Sequence, residues 1–193
     1  MSALTLKALT AVRLGIPNLV RAVGYKLSVK TGLNPVRRLR SELPQPPFFS
    51  AVGRGLFHEA VPRMGWFKNS QAFGRDLKAI HGPPIEWLTG CISGQTVPLA
   101  DKEWWEIPDF DSAVGDIKTV WEASRFDWVL ACAEHILAGD SSAHHRLEAW
   151  LTDWLTHNPP YKGPNWKCGQ EASIRIMHLA MAAHLLAQVK ECE

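Results

Sequence analysis

The first forty residues contain no aspartate and no glutamate. Eight basic residues stand there without an acidic counterpart: Lys7, Arg13, Arg21, Lys26, Lys30, Arg37, Arg38 and Arg40. A net charge of +2 over the whole chain therefore hides a basic start and an acidic remainder. Tyrosine is nearly absent, with Tyr25 and Tyr161 against nine tryptophans. The cysteines (Cys91, Cys132, Cys168 and Cys192) are few and far apart. They form no Cys-x-x-Cys and no Cys/His zinc spacing, which excludes a zinc finger and argues against a disulfide framework. No His-Glu-x-x-His or His-x-x-x-His occurs, so no metal set is expected. No Gly-x-Gly-x-x-Gly, phosphate loop or Gly-x-Ser-x-Gly elbow occurs, so dinucleotide, nucleotide and esterase chemistry lose their main support. No cofactor is expected. No apolar run approaches the roughly 20 residues of a membrane span. Lys7 and Arg13 interrupt the N-terminal apolar pattern, so no secretory signal is expected. Cytoplasmic or membrane-peripheral placement is expected over secretion.

The hydrophobic share, 46%, and the charged share, 21%, are ordinary for a globular domain. The tryptophans suit helix packing, and they also stack on flat faces such as sugar rings. Within 1–40, Leu4, Leu6, Leu9, Val12 and Leu14 recur among Lys7 and Arg13. Leu19, Val20, Val23 and Leu27 recur opposite Arg21, Lys26 and Lys30. The spacing predicts two short amphipathic helices, 3–15 and 18–30, parted by Gly15-Ile16-Pro17-Asn18. This basic arm is expected to pack on the rest of the chain, with contact to a membrane surface as the alternative. No nucleic-acid recognition motif accompanies it.

Residues 41–115 are punctuated by Pro44, Pro46, Pro47, Pro62, Pro83, Pro84, Pro98 and Pro108, and predict an irregular segment without long helices. Its apolar runs, Pro47–Val52, Ile85–Leu88 and Trp104–Ile107, suit brief strands or apolar anchors. Residues 116–193 are helical. One helix is expected from Asp116 to about Ala138, with Trp121, Arg125, Trp128 and Cys132 on one stripe and Phe126, Val129, Ala133, Ile136 and Leu137 on the next. A second starts at Ser141 or Ser142, with Leu147, Trp150, Leu151, Trp154 and Leu155 on one face. A third runs from about Gln170 to Lys190, with Ala172, Ile176, Leu179, Ala180, Ala183, Leu186 and Ala187 on its buried side. The Gly139–Ser141 turn makes the first two antiparallel neighbours. The fold class is mainly α, a layered α/α array preceded by an irregular segment.

The polar groups concentrate between Asn158 and Arg175, a Pro- and Gly-rich connection between the second and third helices. It carries Tyr161, Asn165, Trp166, Glu171 and Arg175. Upstream, Trp121-Glu122-x-Ser124-Arg125-Phe126-x-Trp128 supplies Glu122 and Arg125, three apart and able to pair. Glu171 and Arg175, four apart, have the same option. These ordered pieces, with Asn158-Pro-Pro, Gly163-Pro-Asn165-Trp166 and Glu171-Ala-Ser-Ile-Arg175, resemble the N-terminal helical domain of the heparinase II/III family of polysaccharide lyases. The likeness covers roughly residues 105–190.

The resemblance implies a partial (α/α) toroid whose concave face holds an acidic, uronic-acid-containing polysaccharide such as a glycosaminoglycan, with a β-sandwich domain further along. The implied reaction is β-elimination, in which a base removes the proton beside the sugar carboxylate while an acid assists the leaving oxygen. The carboxylate must be neutralised so that the developing enolate is stabilised. Asn165 is the candidate neutraliser; capping or shaping the turn is its other reading. Trp166 and Tyr161 are candidate sugar contacts. Glu171, Arg175, Glu122 and Arg125 are expected to brace the loop or to meet a charged sugar. The family's acid/base pair is Tyr and His. Neither Tyr25 nor Tyr161 matches the expected Tyr, which belongs in a helix beyond the Asn-bearing loop. The β-sandwich that carries the His does not follow within this sequence. The expectation is therefore a helical piece of a longer lyase-like protein, inactive alone, or a non-catalytic carbohydrate-binding or scaffold fragment.

Overall fold

The computed structural model describes residues 3–49, 71–72, 75–76, 86–98 and 100–188. The chain divides into two units, Met1–Ser41 and Glu42–Glu193. In the first, helix α1 (Ala3–Leu14) and helix α2 (Ile16–Thr31) are parted by Gly15 alone. Gly15 has φ 77° and ψ 152°, a conformation that glycine adopts without steric cost. The break is tighter than the sequence suggests, because Pro17 fits the first turn of a helix, where its missing N–H is not needed. Gly32, at φ 82°, ends α2 in the left-handed conformation, its N–H donating to the Val29 carbonyl. A short 3₁₀ turn, Pro35–Arg38, follows, capped by the Asn34 side chain.

The described residues are mainly helical. In the second unit the helices lie from Lys118 on. Its irregular part is tied down by named anchors. The backbone N–H groups of Phe48 and Phe49 both donate to the Glu148 carboxylate. Phe49 and Trp87 enter the main core. Trp87 Nε1 donates to Asp153 Oδ2 at 2.6 Å. Of the three expected apolar runs, residues 50–52 and Ile85 lie outside the described residues, as do Pro62, Pro83 and Pro84. Trp104–Ile107 forms turns rather than a strand, with Ile107 buried. Two-residue strands pair antiparallel: β1 (Gln71–Ala72) with β2 (Arg75–Asp76), and β3 (Phe110–Asp111) with β4 (Gly115–Asp116).

The helix expected from Asp116 to Ala138 is broken. Helix α3 (Lys118–Trp121) passes into a 3₁₀ turn, Glu122–Ser124, and helix α4 spans Asp127–Leu137. Phe126 between them has φ 70°, in the left-handed region. That conformation is unusual for a bulky side chain, and here burial over-determines it. The Phe126 ring packs edge-on against Trp154 at 4.9 Å and Trp128 at 5.5 Å. The stripe that joined Trp121, Arg125, Trp128 and Cys132 is therefore not one helix face. Trp121 belongs to a smaller cluster with Val97, Ile107, Val114, Ile117 and Val120, and Trp128 to the main core.

Helix α5 (Ser141–His157) is capped by Asp140, whose carboxylate accepts from the Ser142 N–H. Gly139 has φ 90° and permits the tight reversal that folds α5 onto α4. Trp150 and Trp154 of α5 meet Trp87, Trp128 and Phe126, which makes the core unusually aromatic. Helix α6 (Gly169–Gln188) packs on α4. The end expected at Lys190 lies outside the described residues. The face of α6 expected to be buried is mostly exposed: Ile176 keeps 66% of its surface, and Ala180, Ala183 and Ala187 are also open. Leu186 is buried as expected, and Glu171, Arg175 and Ala182 are buried where the apolar pattern did not place them. Two polar side chains with fixed partners turn the helix away from its most apolar stripe.

Candidate functional site

The site is built on the connection from α5 to α6. Asn158 ends α5 and bonds back to it, with both its backbone N–H and its side-chain Nδ2 donating to the Trp154 carbonyl. Pro159 and Pro160 cannot continue the helix. Tyr161 has φ 66°, and Gly163 has φ 75°. A Cβ on Gly163 would lie 2.6 Å from the Ala100 carbonyl oxygen, so only glycine fits there. That approach zips residues 100–104 onto the loop. Gly163 N–H donates to Lys102 at 2.7 Å, and Trp104 N–H donates to Tyr161 at 3.1 Å.

Asn165 sits in the 3₁₀ turn Pro164–Trp166 and is 0% exposed. Its Nδ2 donates to Asn158 Oδ1 at 2.8 Å and to the Trp87 carbonyl at 3.2 Å. Its own carbonyl accepts from Arg175 Nη2 at 2.7 Å. Trp121 Nε1 donates to the Pro164 carbonyl, and Trp166 Nε1 to the Asn158 carbonyl. The bonds from Arg175, Trp121 and Asn165 tie the loop to α6, α3 and the irregular segment, so the loop is positioned from several sides.

Arg175 is buried under this loop. Its guanidinium carbon lies 5.3 Å from the Trp154 ring centroid and 5.7 Å from that of Trp166. Burial lowers its pKa to about 10, against the attraction of Glu171. The indole faces offer it electrostatic compensation. The expected Glu171–Arg175 pairing is replaced by another. Glu171 binds Arg125 through two parallel hydrogen bonds, at 2.8 and 2.9 Å. Arg125 also reaches Glu122, 2.5 Å away, as the three-residue spacing predicts. This cross-link joins the α3–α4 break to α6. On the same side, His178 Nδ1 donates to the Arg125 carbonyl at 2.6 Å and lies 3.4 Å from Asp127. Burial raises the pKa of Glu122, against the attraction of Arg125 and with the like charges of Glu171 and Asp127 adding to the rise. Burial likewise raises Asp127, opposed by His178 and Arg125.

No family model, no curated protein and no solved structure matches this chain. Its candidate site is thus described by geometry alone. Of the seven residues singled out from the sequence, Asn165, Glu171 and Arg175 are interior, Glu122 and Arg125 are partly buried, and Tyr161 and Trp166 border the surface. Tyr161 and Trp166 lie 5.6 Å apart, and Trp166 is 6.0 Å from Trp154. Asn158, Trp87 and Trp154 complete the network without having been singled out as site residues. An asparagine before a Pro-Pro at a helix end was the readable signal for Asn158. The half-buried Trp104 and Trp105, 5.6 Å apart on the segment zipped to the loop, were also missed as site residues. An adjacent tryptophan pair in a proline-punctuated stretch was their signal. Among the described residues, Asn165 Oδ1 and Arg175 Nη1 are buried without a hydrogen-bond partner. No group of three or more metal-ligating side chains occurs among the described residues.

Proposed function

We propose that the chain is the helical part of a heparinase II/III-like protein, and that it binds an acidic polysaccharide without completing the elimination itself. The observation that carries binding is the aromatic border of the loop. Tyr161 and Trp166 stand on one side, and Trp104 and Trp105 on the segment hydrogen-bonded to it. Half-buried aromatic faces on a rigid backbone suit the apolar faces of sugar rings. Exposed Lys102 and Lys162 flank the same junction. Asp101, Glu103, Glu106 and Asp109 share that stretch, so the acidity of the polymer rests on the family resemblance alone. A toroid built from the α4–α5 pair and α6 belongs to the same proposal.

The position of Asn165 favours binding over catalysis. A carboxylate neutraliser must place an amide N–H on the sugar. Here Nδ2 points inward to Asn158 and Trp87, and no part of the residue is exposed. Asn165 in this arrangement holds the loop that presents the aromatics. The reacting Tyr and His of the family would come from outside the described residues.

The test is incubation of the chain with heparin-like, alginate-like and capsular polymers. Tryptophan fluorescence reports binding, and ultraviolet absorbance reports unsaturated uronate. We expect saturable binding to one polymer class with no gain in absorbance. Replacing Trp166 with Ala should weaken that binding about tenfold. An absorbance gain would overturn the non-catalytic reading, and the absence of binding to every polymer would overturn both.

A further inference from the structure

We infer that helix α2 docks on an anionic lipid surface, lying along it rather than crossing it. Ile16, Val20, Val23 and Leu27 stand at i, i+4, i+7 and i+11, one stripe of a helix. All four are over half exposed, at 77%, 65%, 53% and 56%. Val29, the buried side chain of α2, lies on the opposite side of the helix. The stripe is about 17 Å long, from a 1.5 Å rise per residue.

Charge decides what covers it. Lys30 and Lys26, both exposed, run along one side of the stripe, about 50° and about 90° around the helix from its centre, and Arg21 lies about 130° around the other way. The unit Met1–Ser41 contains eight cations and no carboxylate. A second copy of this unit would bring like charge against like charge. A nucleic acid would satisfy the cations and leave the apolar stripe in water. An anionic bilayer satisfies both, because acyl chains receive the stripe while the lysine heads stay among phosphates. No described helix is long and apolar enough to cross a membrane, which fits a helix lying in the interface.

The test uses the full chain with sedimenting vesicles of phosphatidylcholine, with and without phosphatidylglycerol. Partition onto the anionic vesicles should exceed that onto the neutral ones by at least about tenfold and fall with added salt. A variant with Val20→Gln and Val23→Gln should lose most of this partition. Its thermal unfolding should match the parent, which separates lost docking from lost folding. A second variant, Lys26→Gln with Lys30→Gln, should weaken anionic binding and leave neutral binding unchanged. Equal partition onto both vesicle types overturns the proposal, as does partition that survives the Gln variants. So does a concentration-dependent dimer that the Val20→Gln, Val23→Gln variant abolishes while vesicles bind nothing. Binding to a short DNA duplex without binding to vesicles would also reject it.

Discussion

Arg175 shows how much one side chain can organise. It is buried, its pKa is lowered to about 10 by that burial, and it holds the Asn165 carbonyl while lying against two indoles. Removing a charge from water costs several kcal/mol, so such an arginine persists only where its partners repay the cost together. Lysine carries the same charge but lacks the planar fork that serves a carbonyl and two ring faces at once. Arg175→Lys should therefore destabilise the chain by about 2 kcal/mol. A loss of that size lowers the thermal midpoint by roughly 4–8 °C for a chain of this length. Circular dichroism melting checks this, and an unchanged midpoint would show that the stacking contributes nothing. Tyr161 and Trp166 stood out as candidate sugar contacts because they sit in a Pro- and Gly-rich connection, and both are partly buried. The Arg125–Glu171 pair was not recognisable, because spacing along a helix favours Glu171–Arg175 and says nothing of a partner 46 positions away.

At the scale of elements, helices with clear ends were legible. Helix α5 begins at Ser141 because Asp140 caps it, and ends where Pro159 and Pro160 follow. The cap yields a direct expectation. Asp140→Ala should cost about 1 kcal/mol at neutral pH, measured by denaturant unfolding. The Ser142 hydroxyl and backbone N–H hold the Asp140 carboxyl below its ordinary range. Its stabilisation is therefore complete above that ordinary range and is lost as pH falls through the depressed value. The difference between parent and variant should shrink at acid pH; a constant difference would contradict this account of the cap. The interruption at Phe126 was not legible, since no proline or glycine marks it. Aromatic packing against Trp128 and Trp154 imposes it, together with His178 binding the Arg125 carbonyl. Burial on α6 was partly misread for a related reason: apolar periodicity ranks Ile176 and Ala180 inward, while the Glu171–Arg125 ion pair and the Arg175 hydrogen bond to the Asn165 carbonyl turn Glu171 and Arg175 inward.

At the scale of the whole molecule, stability against pH integrates groups that pull in opposite directions. Asp140 favours the ionised state, whereas Glu122 and Asp127 have pKa values raised chiefly by burial. A raised folded pKa means that folding favours the protonated carboxyl. The stabilisation from Glu122 and Asp127 is thus full below the ordinary carboxylate range and is lost as pH rises through their raised values. Burial disfavours the ionised form of both, and Arg125 is shared between Glu122 and Glu171. A double variant, Glu122→Gln with Asp127→Asn, carries no titrating group at either position. Relative to the parent it should therefore be more stable at neutral pH than it is at pH near the ordinary carboxylate value. Denaturant unfolding of both proteins at the two pH values gives this difference of differences without assuming the absolute cost of either substitution. A variant that instead loses relative stability as pH rises would mean that Arg125 and His178 outweigh burial. The polar cross-link would then be a net source of stability at neutral pH, beyond its part in setting how α6 meets the α3–α4 break.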